Sequence, residues 1–277
     1  MESNYSSFDH VKSDGRIQEI LDSAETFDEV DDIPSRDRLS YSNGFYVNCT
    51  ALFIDIRGSS ELANNHTRPV LGKLYRSYLS ECVSVMNSGI NCREIFINGD
   101  CVSGIFSTPL KSDIDTVFST AAQLYSITEI LNWRLELKGY STFRCGLGIA
   151  YGRALMLKAG YKGSGINDVI WMGDVVNEAS NLCHDGNRGS RKALQVSTTV
   201  FNNLSEHNKD LLTPVHKTLL LQTDQYEGYV VNLNMEQYLN NLKKEFQNSQ
   251  QLARTLRGGL LGLYSSQSSS MLGGRYP

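Results

Sequence analysis

The sequence predicts an α+β sandwich, a mainly antiparallel sheet with helices packed on one face. Three observations lead there. Strand-like and helix-like stretches alternate in the order β-α-β-β-α-β. An Asn-Gly pair sits between two short apolar runs, and two long helical patterns separate the strands. The chain has 277 residues, 40% apolar and 20% charged, which is ordinary globular composition with enough length for a sizeable core.

In order, Arg16–Phe27 predicts a short amphipathic helix, with Ile17, Ile20, Leu21 and Ala24 at helical spacing. The turn-rich stretch DDIPSRDRLSYSNG follows as a connector. Phe45–Ile56 is β-branched and aromatic, bounded by Gly44 and Gly58, and predicts a strand. Ser60–Asn87 predicts a helix from Leu71, Leu74, Tyr75, Tyr78 and Leu79. Cys92–Ile97 and Cys101–Phe106 predict a hairpin turning at Asn98-Gly99. Asp113–Leu137 predicts a second long helix, Thr142–Tyr151 a strand, Asp168–Met172 a short strand and Val175–Cys183 a helix. Leu194–Ser197 and Tyr229–Leu233 predict late strands. From about Asn248 the composition turns to Gln, Ser and Gly, which predicts weak order, with Leu252, Leu256, Leu260 and Leu261 able to form a short docking helix. The expected organisation is therefore residues 1–43 as N-terminal helix and connector, 44–235 as the main domain, and 236–277 as C-terminal helix and tail.

The net charge of −4, without a basic run, argues against nucleic acid as a partner. Six scattered cysteines form no CxxC pair, which argues against a disulfide scaffold or zinc site. The sequence shows neither a signal-peptide pattern nor an apolar stretch able to span a bilayer, so the expectation is a cytoplasmic protein without a membrane partner.

Two carboxylates stand in informative places. Asp55 interrupts the apolar run ALFIDIRGSS, and Asp100 follows the hairpin turn in INGDCVSGIF. A carboxylate in a hydrophobic strand is costly unless it is paired or binds a cation. Two facing carboxylates repel, and divalent ions such as Mg²⁺ or Mn²⁺ relieve the repulsion. Each Asp taken alone is equally well read as a helix cap or a turn residue. Arg57-Gly58-Ser59-Ser60 presents backbone amides suited to phosphate, or an ordinary Ser N-cap. Arg144, in FRCGLGIAYG, either reaches phosphate or snorkels to the surface.

Taken together these segments resemble the class III nucleotide cyclase catalytic domain over roughly residues 44–235. FIDIRGSS resembles the first metal motif and INGD the second, and their Asp residues lie 45 positions apart. RCGLGIAYG resembles the later Gly-rich strand, and WMGDVVNEASN the motif that carries a transition-state Asn. The resemblance implies a ferredoxin-like, palm-type βαββαβ fold acting as a head-to-tail homodimer. It implies two Mg²⁺ or Mn²⁺ ions held by Asp55, Asp100 and the Ile56 carbonyl. It also implies triphosphate contacts from Arg144, Ser59 and Ser60, with Asn177 as the transition-state residue.

The positions that read adenine in purine-specific relatives hold Phe96 and Ile170, and the family's transition-state Arg is Asn181, with Arg188 or Arg191 as replacements. Lys217 is a candidate for the late triphosphate Lys. This pattern, with IPSRDRLSYSNGFYV ahead of the metal strand, is similar to the pyrimidine cyclases of bacterial Pycsar anti-phage systems. That similarity implicates Tyr46 and Arg93 in the nucleotide site, although a packing Tyr and a surface Arg are the plainer readings. It implies cyclisation of UTP to cyclic UMP as a second messenger sensed by a separate effector protein. The alternatives are CTP as substrate, a purine cyclase, and an inactive nucleotide-binding regulator.

Overall fold

A computed structural model describes residues 2–216 and 223–269. It divides into two compact units, Met1–Val231 and Asn232–Pro277. The first contains the helix α1 (His10–Asp22), the strand β1 (Thr26–Val30), a 3₁₀ turn at Arg36–Arg38, β2 (Asn43–Arg57), α2 (Ser59–Asn65) and α3 (Arg68–Asn87). It continues through β3 (Cys92–Asn98), β4 (Cys101–Ser107), α4 (Lys111–Leu137), β5 (Arg144–Tyr161), β6 (Ile166–Met172) and α5 (Asp174–Asp185). It ends with β7 (Leu194–Ser197), α6 (Thr198–Asn203), α7 (Glu206–Lys209), β8 (Thr213–His216) and β9 (Thr223–Gly228). The second unit is built on α8 (Leu233–Ser269).

The strands form one sheet in the order β3-β4-β2-β5-β7-β9-β8, with β1 added parallel to β2 and β6 paired to β5. β2 is its spine, antiparallel to both β4 and β5. The strand's period of two sorts its side chains cleanly. Leu52, Ile54 and Ile56 enter the core shared with α3 and α4. Phe45, Val47, Cys49 and Ala51 enter a second core on the opposite face. The α3 stripe Leu74, Tyr78, Cys82 and Met86 repeats every fourth residue and is fully buried, as one face of an amphipathic helix requires.

The helices α2, α3, α4 and α6 pack on one face, as expected. α5 covers the other face through Val175, Ala179 and Leu182, helped by Ile33 and Leu39 of the connector. Four local expectations also change. The first helix ends at Asp22, and Phe27 lies in β1, because Thr26, Phe27 and Val30 suit a strand that pairs with the start of β2. The helix expected from Ser60 to Asn87 is two helices, broken at His66-Thr67, with Pro69 in the first turn of the second. The late strand is Thr223–Gly228 rather than Tyr229–Leu233, whose Val230 is buried in the main core without strand pairing. α8 runs through most of the tail expected to be weakly ordered; it starts where the Asn232 side chain accepts from the Met235 amide at 3.2 Å. Leu252 and Leu256 on it are exposed. Lys217 lies outside the described residues.

Candidate active site

Asp55 points to the α5 face of β2, since its neighbours Ile54 and Ile56 fill the opposite core. Its cross-strand partner on β5 is Gly146. Asp100 sits in the hairpin turn, where Gly99 takes the left-handed backbone (φ 65°) that such a turn demands. The two carboxylates feel one another. Burial raises the Asp55 pKa first and the charge of Asp100 raises it further, while Arg57 and Arg188 oppose the shift. This is a half-buried pair of hard oxygen donors under mutual repulsion, which suits a divalent cation. Among the described residues no cluster of three or more His, Cys, Asp or Glu could hold a metal. Asp55 and Asp100 are the two carboxylates that the fold brings together at this end of β2.

The Arg57 side chain, to which the sequence assigned no role of its own, is only 8% exposed. Its Nη1 donates to Asp55 Oδ2 at 2.7 Å, its Nε donates to the Gly186 carbonyl at 2.7 Å, and its Nη2 donates to the Cys183 carbonyl. β2 is thereby tied to the C-terminal end of α5, where free carbonyls favour a cation. Two glycines of the RCGLGIAYG segment make this possible. A Cβ at Gly146 would lie 1.9 Å from Arg57 Nη2, and one at Gly148 would lie 2.2 Å from the Ala179 carbonyl.

Ser59 is not a helix cap: the N-cap of α2 is Gly58, without a side-chain cap bond. Its hydroxyl is hydrogen-bonded to Tyr75, whose phenol is pushed up by burial and then by the charge of Asp100. Tyr75 was visible in the sequence only as a helix-packing residue. Ser60 is exposed beside it. Arg144 lines a cleft of about 610 Å³ with Arg57, Gly58, Glu61, Asn187 and Arg188. Arg188 is anchored by donating to the His184 carbonyl at 2.7 Å. Arg191 lies instead 4.0 Å from Glu227.

Asn177 is not in that cleft. With Asn181 it lines a separate one of about 360 Å³, among Asp174, Glu178, Asp185 and Asp224. Phe96 packs in the second core beside Trp171, and the adjacent Ile170 is 38% exposed on β6. Arg93 occupies a β-bulge, 3.7 Å from Asp32, in a cleft of about 300 Å³ under the connector. Tyr46 lies nine residues before Asp55, about 30 Å along an extended strand. There its ring stacks under the Arg153 guanidinium, 3.6 Å from centroid to Cζ. One chain thus gathers Asp55, Asp100, Ile56, Ser59 and Arg144 around the C-terminal end of β2. It leaves Asn177, Phe96, Ile170, Arg93 and Tyr46 elsewhere.

No protein-family model matches the sequence. Curated relatives do. A uridylate cyclase of Gulbenkiania mobilis is 42% identical over 190 residues, covering 66% of this chain and 74% of the relative. A uridylate cyclase of Treponema porcinum is 37% identical over 206 residues, covering 74% and 72%. The chain belongs to the uridylate cyclase family. Its fold agrees with that assignment: the solved adenylyl cyclase CyaB of P. aeruginosa superposes with a TM-score of 0.55 at 21% identity, over 66% of this chain and 94% of that one. Among the described residues no helix of this uridylate cyclase family member is long and apolar enough to cross a membrane.

Proposed function

We propose that this protein is a pyrimidine nucleotide cyclase that converts UTP to 3′,5′-cyclic UMP and pyrophosphate. The observation that carries the reading is the Asp55–Asp100 pair, held at adjacent strand ends in a chain whose curated relatives are uridylate cyclases. In the reaction the ribose 3′-oxygen bonds to the α-phosphorus, the bond to the bridging oxygen breaks, pyrophosphate leaves and the hydroxyl proton is lost.

Asp55, Asp100 and the Ile56 carbonyl would hold two Mg²⁺ or Mn²⁺ ions, which supply a lowered hydroxyl pKa and neutralisation of the triphosphate. Arg57 fixes the Asp55 carboxylate in orientation. Arg144 and Arg188 face the cleft beside it and hold the departing phosphates, with Ser59 and Ser60 at its rim. Arg188, beside Arg144 rather than beside Asn181, supplies the cation that Asn181 lacks. Asn177 orients the ribose.

Because Asn177 lines a cleft that contains neither Asp55 nor Asp100, we read the working unit as a head-to-tail homodimer with composite sites. Phe96 and Ile170 offer no hydrogen bond to a base edge and narrow the pocket against purines. Tyr46 and Arg93 complete the nucleotide site. Arg93 has only donors, which suits uracil's two carbonyls better than cytosine. On the sequence resemblance we extend the reading to an anti-phage second messenger, made in the cytoplasm and sensed by a separate effector.

The test is incubation of the purified protein with all four ribonucleoside triphosphates and Mn²⁺, followed by product identification. Cyclic UMP is the expected main product. Exclusive formation of cyclic CMP would overturn the uracil assignment, and a purine product would overturn the pyrimidine one.

A further inference from the structure

The connector between β1 and β2 carries Arg36, and its side chain makes contacts very distant in sequence. Nε donates to Glu94 Oε1 at 2.7 Å, and Nη2 pairs with the other Glu94 oxygen. Nη1 donates to Asp168 Oδ1 at 3.1 Å. Glu94 belongs to β3 and is buried, with 7% exposure; Asp168 belongs to β6 and is half exposed. These strands are not hydrogen-bonded neighbours: β3 pairs with β4, and β6 pairs with β5. Both strands contribute to the second core, Val169 and Trp171 from β6 and Phe96 from β3, with Ile33 of the connector in the same cluster. One planar guanidinium therefore spans two parts of the sheet that the strand ladder does not join.

The placement has a purpose if the site is read as above. Glu94 stands two residues before Phe96, and Asp168 stands two residues before Ile170. At a strand's period of two, each carboxylate shares a face with the wall residue that follows it. We infer that Arg36 is a positioning residue for the nucleotide base: its fork between Glu94 and Asp168 sets how far apart the Phe96 and Ile170 walls stand. This inference rests on the reading that those two residues bound the base pocket. A fork of this shape is particular to arginine. Lysine carries the same charge on one rotatable nitrogen and does not bind two carboxylates in a fixed plane. Walls held loosely admit larger bases and grip a small one poorly, and displacement by about 1 Å is enough to cost roughly 10²-fold in rate or selectivity.

Two variants test it. Arg36→Lys keeps the charge that Glu94 needs but loses the fork. Asp168→Asn removes the β6 charge while retaining an acceptor for the Val169 amide, which Asp168 Oδ1 accepts at 2.8 Å. Both are checked for an unchanged thermal transition, then measured for kcat and KM with UTP and for the ratio of UTP to ATP turnover. The expected result for Arg36→Lys is a KM raised about tenfold or more, a smaller change in kcat and a reduced UTP-to-ATP ratio. Asp168→Asn moves the same quantities less. Wild-type KM and ratio in both variants overturn the inference. So does a fall in kcat alone with the ratio intact, which is what a merely structural role would give. If the wild type cyclises a triphosphate other than UTP, the proposed substrate fails, while the clamp stands or falls on the same measurements with that nucleotide.

Discussion

Arg57 and Asp55 are joined by a 2.7 Å hydrogen bond from Nη1 to Oδ2, and the same guanidinium holds the Cys183 and Gly186 carbonyls. A carboxylate proposed to hold metal is thus aimed by a buried cation that is itself fixed to a helix end. The arrangement offsets part of the charge repulsion from Asp100. Arg57→Lys is expected to lower kcat/KM about 10²-fold by letting Asp55 drift. Stability should fall by about 1–3 kcal/mol, since buried carbonyls lose donors. Steady-state kinetics and denaturant titration measure the two effects, and an unchanged kcat/KM would remove Arg57 from the site.

Asp55→Ala and Asp100→Ala are each expected to abolish turnover while preserving the fold. The Asp55 side chain is 30% exposed, and Arg57 keeps its two carbonyl acceptors without it. The check is product formation across a Mn²⁺ titration, with circular dichroism on the same samples. Wild-type turnover in either variant, with normal metal dependence, contradicts the two-carboxylate site.

The separation of Asn177 from the two carboxylates makes a sharper demand. Neither Asp55→Ala nor Asn177→Ala protein should work alone, yet a mixture of the two should recover activity through one intact composite site per heterodimer. Mass spectrometry of differently tagged chains verifies the exchange. No recovery after verified exchange would leave each chain working by itself.

Burial pushes the thiols of Cys49 and Cys82 up to about 12, and those of Cys145 and Cys183 are raised too. An unfolded thiol ionises near its ordinary value of about 8.5, whereas these remain protonated in the folded chain. Above about pH 8.5 the unfolded state therefore binds fewer protons, and stability falls as pH rises. Each such thiol contributes at most about 1.4 kcal/mol per pH unit in that range. Urea midpoints should drop steadily between pH 8 and pH 10, and Cys49→Ala should reduce the slope; a flat profile refutes the assignment.

The sequence made some of this legible and hid the rest for physical reasons. β2, the β3–β4 hairpin and α4 carry strong periodicity or a decisive turn pair, so local patterns found them. β8, the edge strand, and β9 beside it read TPVH and TDQYEG with almost no apolar alternation, and the nearby apolar YVV drew the strand assignment away. The Asp pair was visible because a charge in an apolar strand demands a partner. The role of Arg57 was not, since its partners Cys183 and Gly186 are 126 and 129 residues away. Arg36 was hidden in the same way, its carboxylates lying 58 and 132 residues along the chain.

The glycines at 146 and 148 carry a mechanical consequence. A Cβ at Gly148 would meet the Ala179 carbonyl at 2.2 Å and the Cys183 amide nitrogen at 2.2 Å, main-chain atoms with no freedom to swing aside. Backbone rests on backbone there, so at that point no side chain separates α5 from β5. Helix and strand travel as one stiff plate. Any adjustment during catalysis must therefore be taken up away from the Gly148–Ala179 contact.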